Sequence, residues 1–174
     1  MINHLQYWLD MSEDRQLLER DHYLMMLAII QAKIAEFCSE VPVGAVLIKQ
    51  GCFWCGCNRS VSCCDPTAHA EIVVLRTAAA SLNNYRMPGA ELYVTVEPCM
   101  MCLGAILHAR VSRLVFGCFS TRDGAVVSNP SKMFHNNWFV RLHWQHGILG
   151  DQCGALLSNF FKLKRAKLCA NLSL

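Results

Sequence analysis

Glu91-Leu92-Tyr93-Val94-Thr95-Val96-Glu97-Pro98-Cys99-Met100-Met101-Cys102 changes character at its proline. Residues 91 to 97 alternate as a strand, and Pro98 suits the first position of a helix. Cys99 and Cys102, three apart, then share one helix face. A helix N-terminus also favours thiolate, the form of cysteine that binds metal. Another strand follows closely over Val111 to Phe116. Strand, helix and strand in succession are the unit of an alternating α/β fold.

Upstream, Thr67-Ala68-His69-Ala70-Glu71 supplies what the two cysteines lack. His69, Cys99 and Cys102 give one imidazole and two thiolates, a set that zinc binds well, one ion per chain. Three protein ligands leave the fourth tetrahedral position for water, as in catalytic rather than structural zinc sites. Glu71 is the natural proton carrier beside water activated in this way. His69 and Glu71 stand two apart and do not face each other along a helix. Both are accommodated if Thr67 is the N-cap and both lie in the first turn. Side chains there lean towards the N-terminus, so two helix starts are expected to converge on one ion. A histidine alone would read as a core residue; with Glu71 and the cysteine pair it reads as a ligand.

The rest of the chain follows from its composition. At 174 residues it is most simply one domain. Charged residues make up 17%, below the roughly 25% usual for soluble domains, and mean hydropathy is positive. So little charge predicts surface hidden in a partner, and a symmetric homodimer is the commonest form. Eleven cysteines would mispair in an oxidising compartment. No signal-peptide pattern opens the chain, and Tyr23 to Ile30 is too short an apolar run to span a bilayer. A reduced, cytoplasmic protein away from membranes is expected.

In chain order, residues 1 to 20 read as an N-terminal extension, and Met11 is an alternative start. Leu27, Ile30, Ile34 and Phe37 recur at helical spacing between Asp21 and Ser39, which predicts a core-packing helix. Val41 to Ile48, the Gln50-Gly51 turn and a second strand ending near Asn58 predict a hairpin. Cys52-Phe53-Trp54-Cys55 could join Cys99 and Cys102 in a four-thiolate ribbon. The spacer 56–98 exceeds the roughly 15–20 residues of that pattern, and strand alternation sets Cys52 and Cys55 on opposite faces. Small buried thiols are expected instead. Residues 68 to 81 predict the helix carrying Glu71. Phe160-Phe161 beside Lys162, Lys164, Arg165 and Lys167 suits a single-stranded nucleic acid or an amphipathic terminal helix with a solvated basic face.

His-x-Glu followed by Pro-Cys-x-x-Cys is the signature of zinc-dependent nucleobase deaminases. The chain resembles their bacterial tRNA adenosine deaminases well beyond it. The likeness includes Glu40 to Leu47, Asn58-Arg59, Asp65 to Ile72, Leu92 to Cys99, Gly104-Ala105-Ile106 with His108-Ala109-Arg110, Leu114 to Gly117 and Phe160-Phe161. It covers roughly residues 21 to 168, which then form the deaminase domain. The resemblance implies a three-layer α/β/α sandwich of the cytidine-deaminase type with a mixed five-stranded sheet. It implies hydrolysis of adenosine to inosine in a tRNA anticodon stem-loop, at the wobble position, by a homodimer. Glu71 would carry a proton from water to purine N1 and then to the departing amine. Asn58, otherwise a turn former, and the Ala70 N–H would hold the base. Two departures touch the nucleic-acid surface: Ser120 stands where the family has an acidic residue, and Phe134-His135-Asn136-Asn137-Trp138 replaces a Met-Asn-His-like segment. The alternatives are a deaminase of free guanine, cytosine or cytidine, and a non-catalytic zinc-bound RNA-binding subunit.

Overall fold

The structure, a computed structural model, describes residues 13–130 and 141–172. The Asn136-Asn137-Trp138 departure and the alternative start at Met11 lie outside them. Among the described residues four helices, α1 (Glu13–Phe37), α2 (Ala70–Leu82), α3 (Met100–His108) and α4 (Gly150–Leu172), surround a five-stranded sheet. Its strands are β1 (Gly44–Lys49), β2 (Cys52–Cys57), β3 (Glu91–Val96), β4 (Arg113–Cys118) and β5 (His143–His146), in the order β2-β1-β3-β4-β5. The hairpin β1–β2 and the pair β1–β3 are antiparallel, whereas β3, β4 and β5 run parallel. The sheet is mixed, as expected.

Strand alternation builds the layers. Ala45, Leu47, Leu92, Val94, Leu114 and Phe116 face α2 and α3, while Val46, Tyr93 and Val115 face α1 and α4. Both faces of the central strands are therefore apolar, as sheets covered on two sides require.

The face that α1 buries is not the one its larger residues mark. Leu24, Met25, Ala28, Ile29, Ala32 and Ala35 are buried, whereas Ile30, Ile34 and Phe37 are 49%, 44% and 91% exposed. The reason is close approach. A Cβ on Gly44 would lie 2.0 Å from the Ala28 carbonyl oxygen, so only an alanine-lined stripe fits against β1. The helix is already formed at Glu13, well before the expected Asp21. It is fixed at the other end by ions. Buried Asp21 takes Arg113 through both oxygens (2.8 and 2.5 Å) and the Tyr93 hydroxyl at 2.7 Å. Glu91 accepts from Arg113 at 3.0 Å and from Arg20 at 2.5 Å.

Two local expectations change. Cys52 is exposed and Cys55 half-buried, because β2 is the edge strand and its first residues, next to the Gln50-Gly51 turn, extend beyond the packed core on both faces. The strand β5, His143–His146, carries almost no alternating apolar signal, and nothing in its sequence picked it out.

Candidate metal centre and its cleft

The carboxyl ends of β3 and β4 open onto one cleft, where ligands of open α/β sheets bind. α2 begins at Ala70 with His69 as its N-cap, and α3 begins at Met100 with Cys99 as its N-cap. Both caps are extended in backbone (ψ 154° and 172°) and neither makes a side-chain cap hydrogen bond. Thr67 is therefore not the cap. Its N–H and hydroxyl bind Asp65 Oδ1 at 2.8 and 2.7 Å, making the turn that leads into His69. Nor is Pro98 the first helical residue: it precedes the cap, and its carbonyl accepts the Ala125 N–H at 2.9 Å.

The two helix starts converge as expected. Cys99 and Cys102 Sγ lie 3.7 and 3.5 Å from His69 Nδ1, and the three donor atoms all fall within 4.8 Å of one another. Among the described residues no other trio of histidine, cysteine and acidic side chains is so placed; Cys52 and Cys55 do not join it. Cys99 is held down to about 4, first by a hydrogen bond from Cys102 and then by His69, against the effect of burial. Cys102 is pushed up by the same shared proton, by burial and by the neighbouring Glu71. Two sulfurs sharing one proton beside an imidazole form a set that a thiophilic divalent cation satisfies better than a proton does. The residues present fit a zinc ion.

Glu71, the second residue of α2, is buried beside them, and burial pushes its carboxyl up to about 7. A cavity of about 250 Å³ joins it to His69, Cys99 and Asn58, with Val41, Val43, Ser120, Asp123, Leu157 and Phe161 also on its walls. Asn58, buried just after β2, accepts the Ala70 N–H through Oδ1 at 2.8 Å. The Ala70 N–H is thus directed at Asn58 and holds its amide through Oδ1, on the wall of the cleft. Ser120 and Asp123 share that cleft, so an acidic group is present three residues beyond the position where the family carries it. Of the aromatic and basic residues of α4, Phe161 reaches the cavity.

Glu97 is the residue that sequence reasoning passed over as the end of a strand. It is buried and accepts the N–H groups of Ser120, Val126, Val127 and Ser128 at 2.7–3.1 Å, and also the Ser128 hydroxyl. Burial alone would raise its pKa; the bonds from Ser128, Val127 and Ser120 outweigh that and hold it below the usual carboxylate range. Its carboxylate gathers the loop after β4 against Cys99, which bridges to Gly124. A Cβ on Gly124 would sit 2.2 Å from Glu97 Oε2, so only glycine passes there. The available signal was an acidic residue directly before a metal-ligand motif, at the end of an otherwise apolar strand.

Comparisons with known proteins agree with this geometry. The sequence profile of the cytidine and deoxycytidylate deaminase zinc-binding region matches residues 18–118. The tRNA-specific adenosine deaminase of Buchnera aphidicola subsp. Baizongia pistaciae is 46% identical over 148 residues, spanning 84% of this chain and 91% of the relative. A structure solved in studies of A-to-I editing by tRNA:A34 deaminases at the wobble position is 38% identical with a TM-score of 0.71. It covers 78% of this chain and 99% of its own. Guanine deaminase from Nitrosomonas europaea is 26% identical with a TM-score of 0.68, over 80% of this chain and 83% of that one.

Proposed function

Because the chain belongs to the cytidine and deoxycytidylate deaminase zinc-binding family, we propose that it deaminates adenosine to inosine in tRNA, at the anticodon wobble position. The observation that carries this reading is Glu71, a buried carboxyl raised to about 7 beside the His69, Cys99 and Cys102 donors. Its greater likeness to tRNA-specific adenosine deaminases than to guanine deaminase favours the tRNA substrate.

When bound by His69, Cys99 and Cys102, a zinc ion supplies Lewis acidity that lowers the pKa of water towards neutrality. Glu71 takes a proton from the attacking water and delivers it to purine N1. The water oxygen bonds to C6. Glu71 then takes the second proton, from that C6 hydroxyl, and gives it to the amine as the C6–N6 bond breaks and ammonia leaves, with the first proton retained on N1. A carboxyl whose pKa lies near the working pH both accepts and returns a proton readily. Asn58 donates from Nδ2 to the base, and the Ala70 N–H acts through Asn58 by holding that orientation. Phe161 offers a face on which a base can stack.

The exposed apolar stripe of α1 and the low charge support a homodimer. Among the described residues no helix is long and apolar enough to cross a membrane; with the abundant free thiols this supports a cytoplasmic location. Residues 21–168 are assigned to the deaminase domain and 1–20 to an extension, in keeping with a family match that begins at residue 18. The test is sequencing of tRNA incubated with the purified protein, as the full chain and as a chain starting at residue 21. Inosine at the wobble position is expected from both. Ammonia from free guanine or cytosine without tRNA inosine would move the substrate to a free base, and no turnover with either would leave a non-catalytic subunit.

A further inference from the structure

At the end of α3 remote from Cys99 lies a second cavity, of about 270 Å³, lined by Pro88, Leu107, Arg110, Val111, Ser112 and Arg141. Cys99 precedes the first residue of α3 and Arg110 lies just beyond its last, so roughly 15 Å of helix separates the two places. The guanidinium groups of Arg110 and Arg141, both exposed residues, have no carboxylate or hydrogen-bond partner among the described residues. The acids of this end of the sheet, Asp21 and Glu91, are taken by Arg113 and Arg20. Residues 131–140, just before Arg141, contain no acidic residue.

The simplest reading of an arginine at a helix C-terminus is capping of its last carbonyls. Here backbone donors already do that. The carbonyls of Ala105, Ile106, Leu107 and Ala109 accept the N–H groups of Ala109, Val111, Arg110 and Met87 at 2.7–3.2 Å. No described residue takes the Arg110 guanidinium. Its backbone is also in the left-handed region (φ 59°), at the position after a helix end where glycine or asparagine is favoured. An arginine held against that preference, facing a cavity with a second arginine, points to a ligand rather than to stability.

The remaining donors fit one kind of ligand. Ser112 Oγ accepts the Gly89 N–H at 2.7 Å, which leaves its own proton to give. Lys49 Nζ donates to the Pro88 carbonyl at 2.5 Å, bringing a third cation to the rim. Two planar guanidinium forks and a hydroxyl match the oxygens of a phosphate. The volume falls below the roughly 300–1,000 Å³ of pockets for drug-sized ligands, so a phosphate group fits and a whole nucleotide does not. We propose that Arg110, Arg141 and Ser112 form a phosphate-binding site at the far end of α3, separate from the zinc cleft. The phosphate comes either from the backbone of a bound RNA or from a free phosphate compound.

Arg110→Gly separates binding from folding, because glycine prefers the left-handed backbone and should fold at least as well as wild type. Two titrations are made on the zinc-loaded full chain, on Arg110→Gly and on Arg141→Ala. Inorganic pyrophosphate is followed through the arginine Nε–H resonances, and tRNA affinity is followed against salt concentration. Saturable pyrophosphate binding that both substitutions abolish supports the site. If tRNA affinity also falls and the slope of log K against log salt drops by about one, the source is an RNA backbone phosphate. If tRNA binding is unchanged while pyrophosphate binding is lost, the source is a free phosphate. A reduced salt slope without pyrophosphate binding likewise supports a site for backbone phosphate. Wild-type chain that binds no pyrophosphate, with tRNA slopes unaltered in both variants, overturns the proposal, as does binding that survives both substitutions. The pyrophosphate arm is independent of what the zinc cleft deaminates.

Discussion

Glu71 and Glu97 line the same cavity as His69 and Cys99 and do opposite things. Glu71 faces a cleft with few donors, so burial raises its carboxyl to about 7 and leaves it able to move a proton. Glu97 is surrounded by backbone N–H groups that hold it ionised and immobile, which suits a loop anchor. For Glu71→Gln, which keeps the shape but cannot shuttle a proton, turnover should fall by about 10²–10⁴-fold. Zinc content by elemental analysis should stay at one ion per chain. Near-normal turnover would remove Glu71 from the mechanism. The role proposed for Glu71 was legible in the sequence because its spacing from His69 is local. That of Glu97 was not, since its partners at 120 and 126–128 are more than twenty residues away.

Elements show the same division. Each strand bearing an alternating pattern was readable, and so was each helix, but not the face that α1 turns inward. Bulky Ile30, Ile34 and Phe37 suggested one face, and the Gly44 contact selected the alanine face instead. The ion cluster that fixes α1 to the sheet joins Asp21, Tyr93 and Arg113 across three elements. Burial raises the Asp21 carboxyl, but hydrogen bonds from Arg113 and Tyr93 overcome this and hold it below its ordinary 3.8. A carboxyl depressed on folding contributes stability above its unfolded pKa, and that contribution is lost as pH falls through the folded value. Asp21→Asn should therefore destabilise the protein at pH 7 by about 3–5 kcal/mol, the range for breaking a buried ion pair. The difference in urea unfolding should shrink below about pH 4. A deficit equal at pH 7 and at pH 3 would mean that Asp21 acts by packing and not by charge.

For the whole molecule, the stripe Tyr23, Met26, Ile30, Ile34 and Phe37 runs the length of α1 with 44–91% of each residue exposed. A continuous apolar face of this kind on a chain with 17% charged residues marks an interaction surface. Sedimentation should find a dimer of 19.6 kDa chains, and Ile30→Asp with Ile34→Asp should shift it to monomer. A wild-type chain that sediments as monomer at all concentrations removes the dimer; a dimer unaffected by the double substitution moves its interface off α1.

The chain by itself marked the metal donors, a candidate proton carrier and every described strand and helix except β5, because ligand chemistry and periodicity are written within a few residues of one another. Only the folded molecule decided that His69 and Cys99 are both helix caps, that the Ala70 N–H is directed at Asn58, and that Glu97 gathers a distant loop. Those outcomes depend on which backbones pack close enough to touch, and contacts between distant parts of a chain leave no local pattern to read.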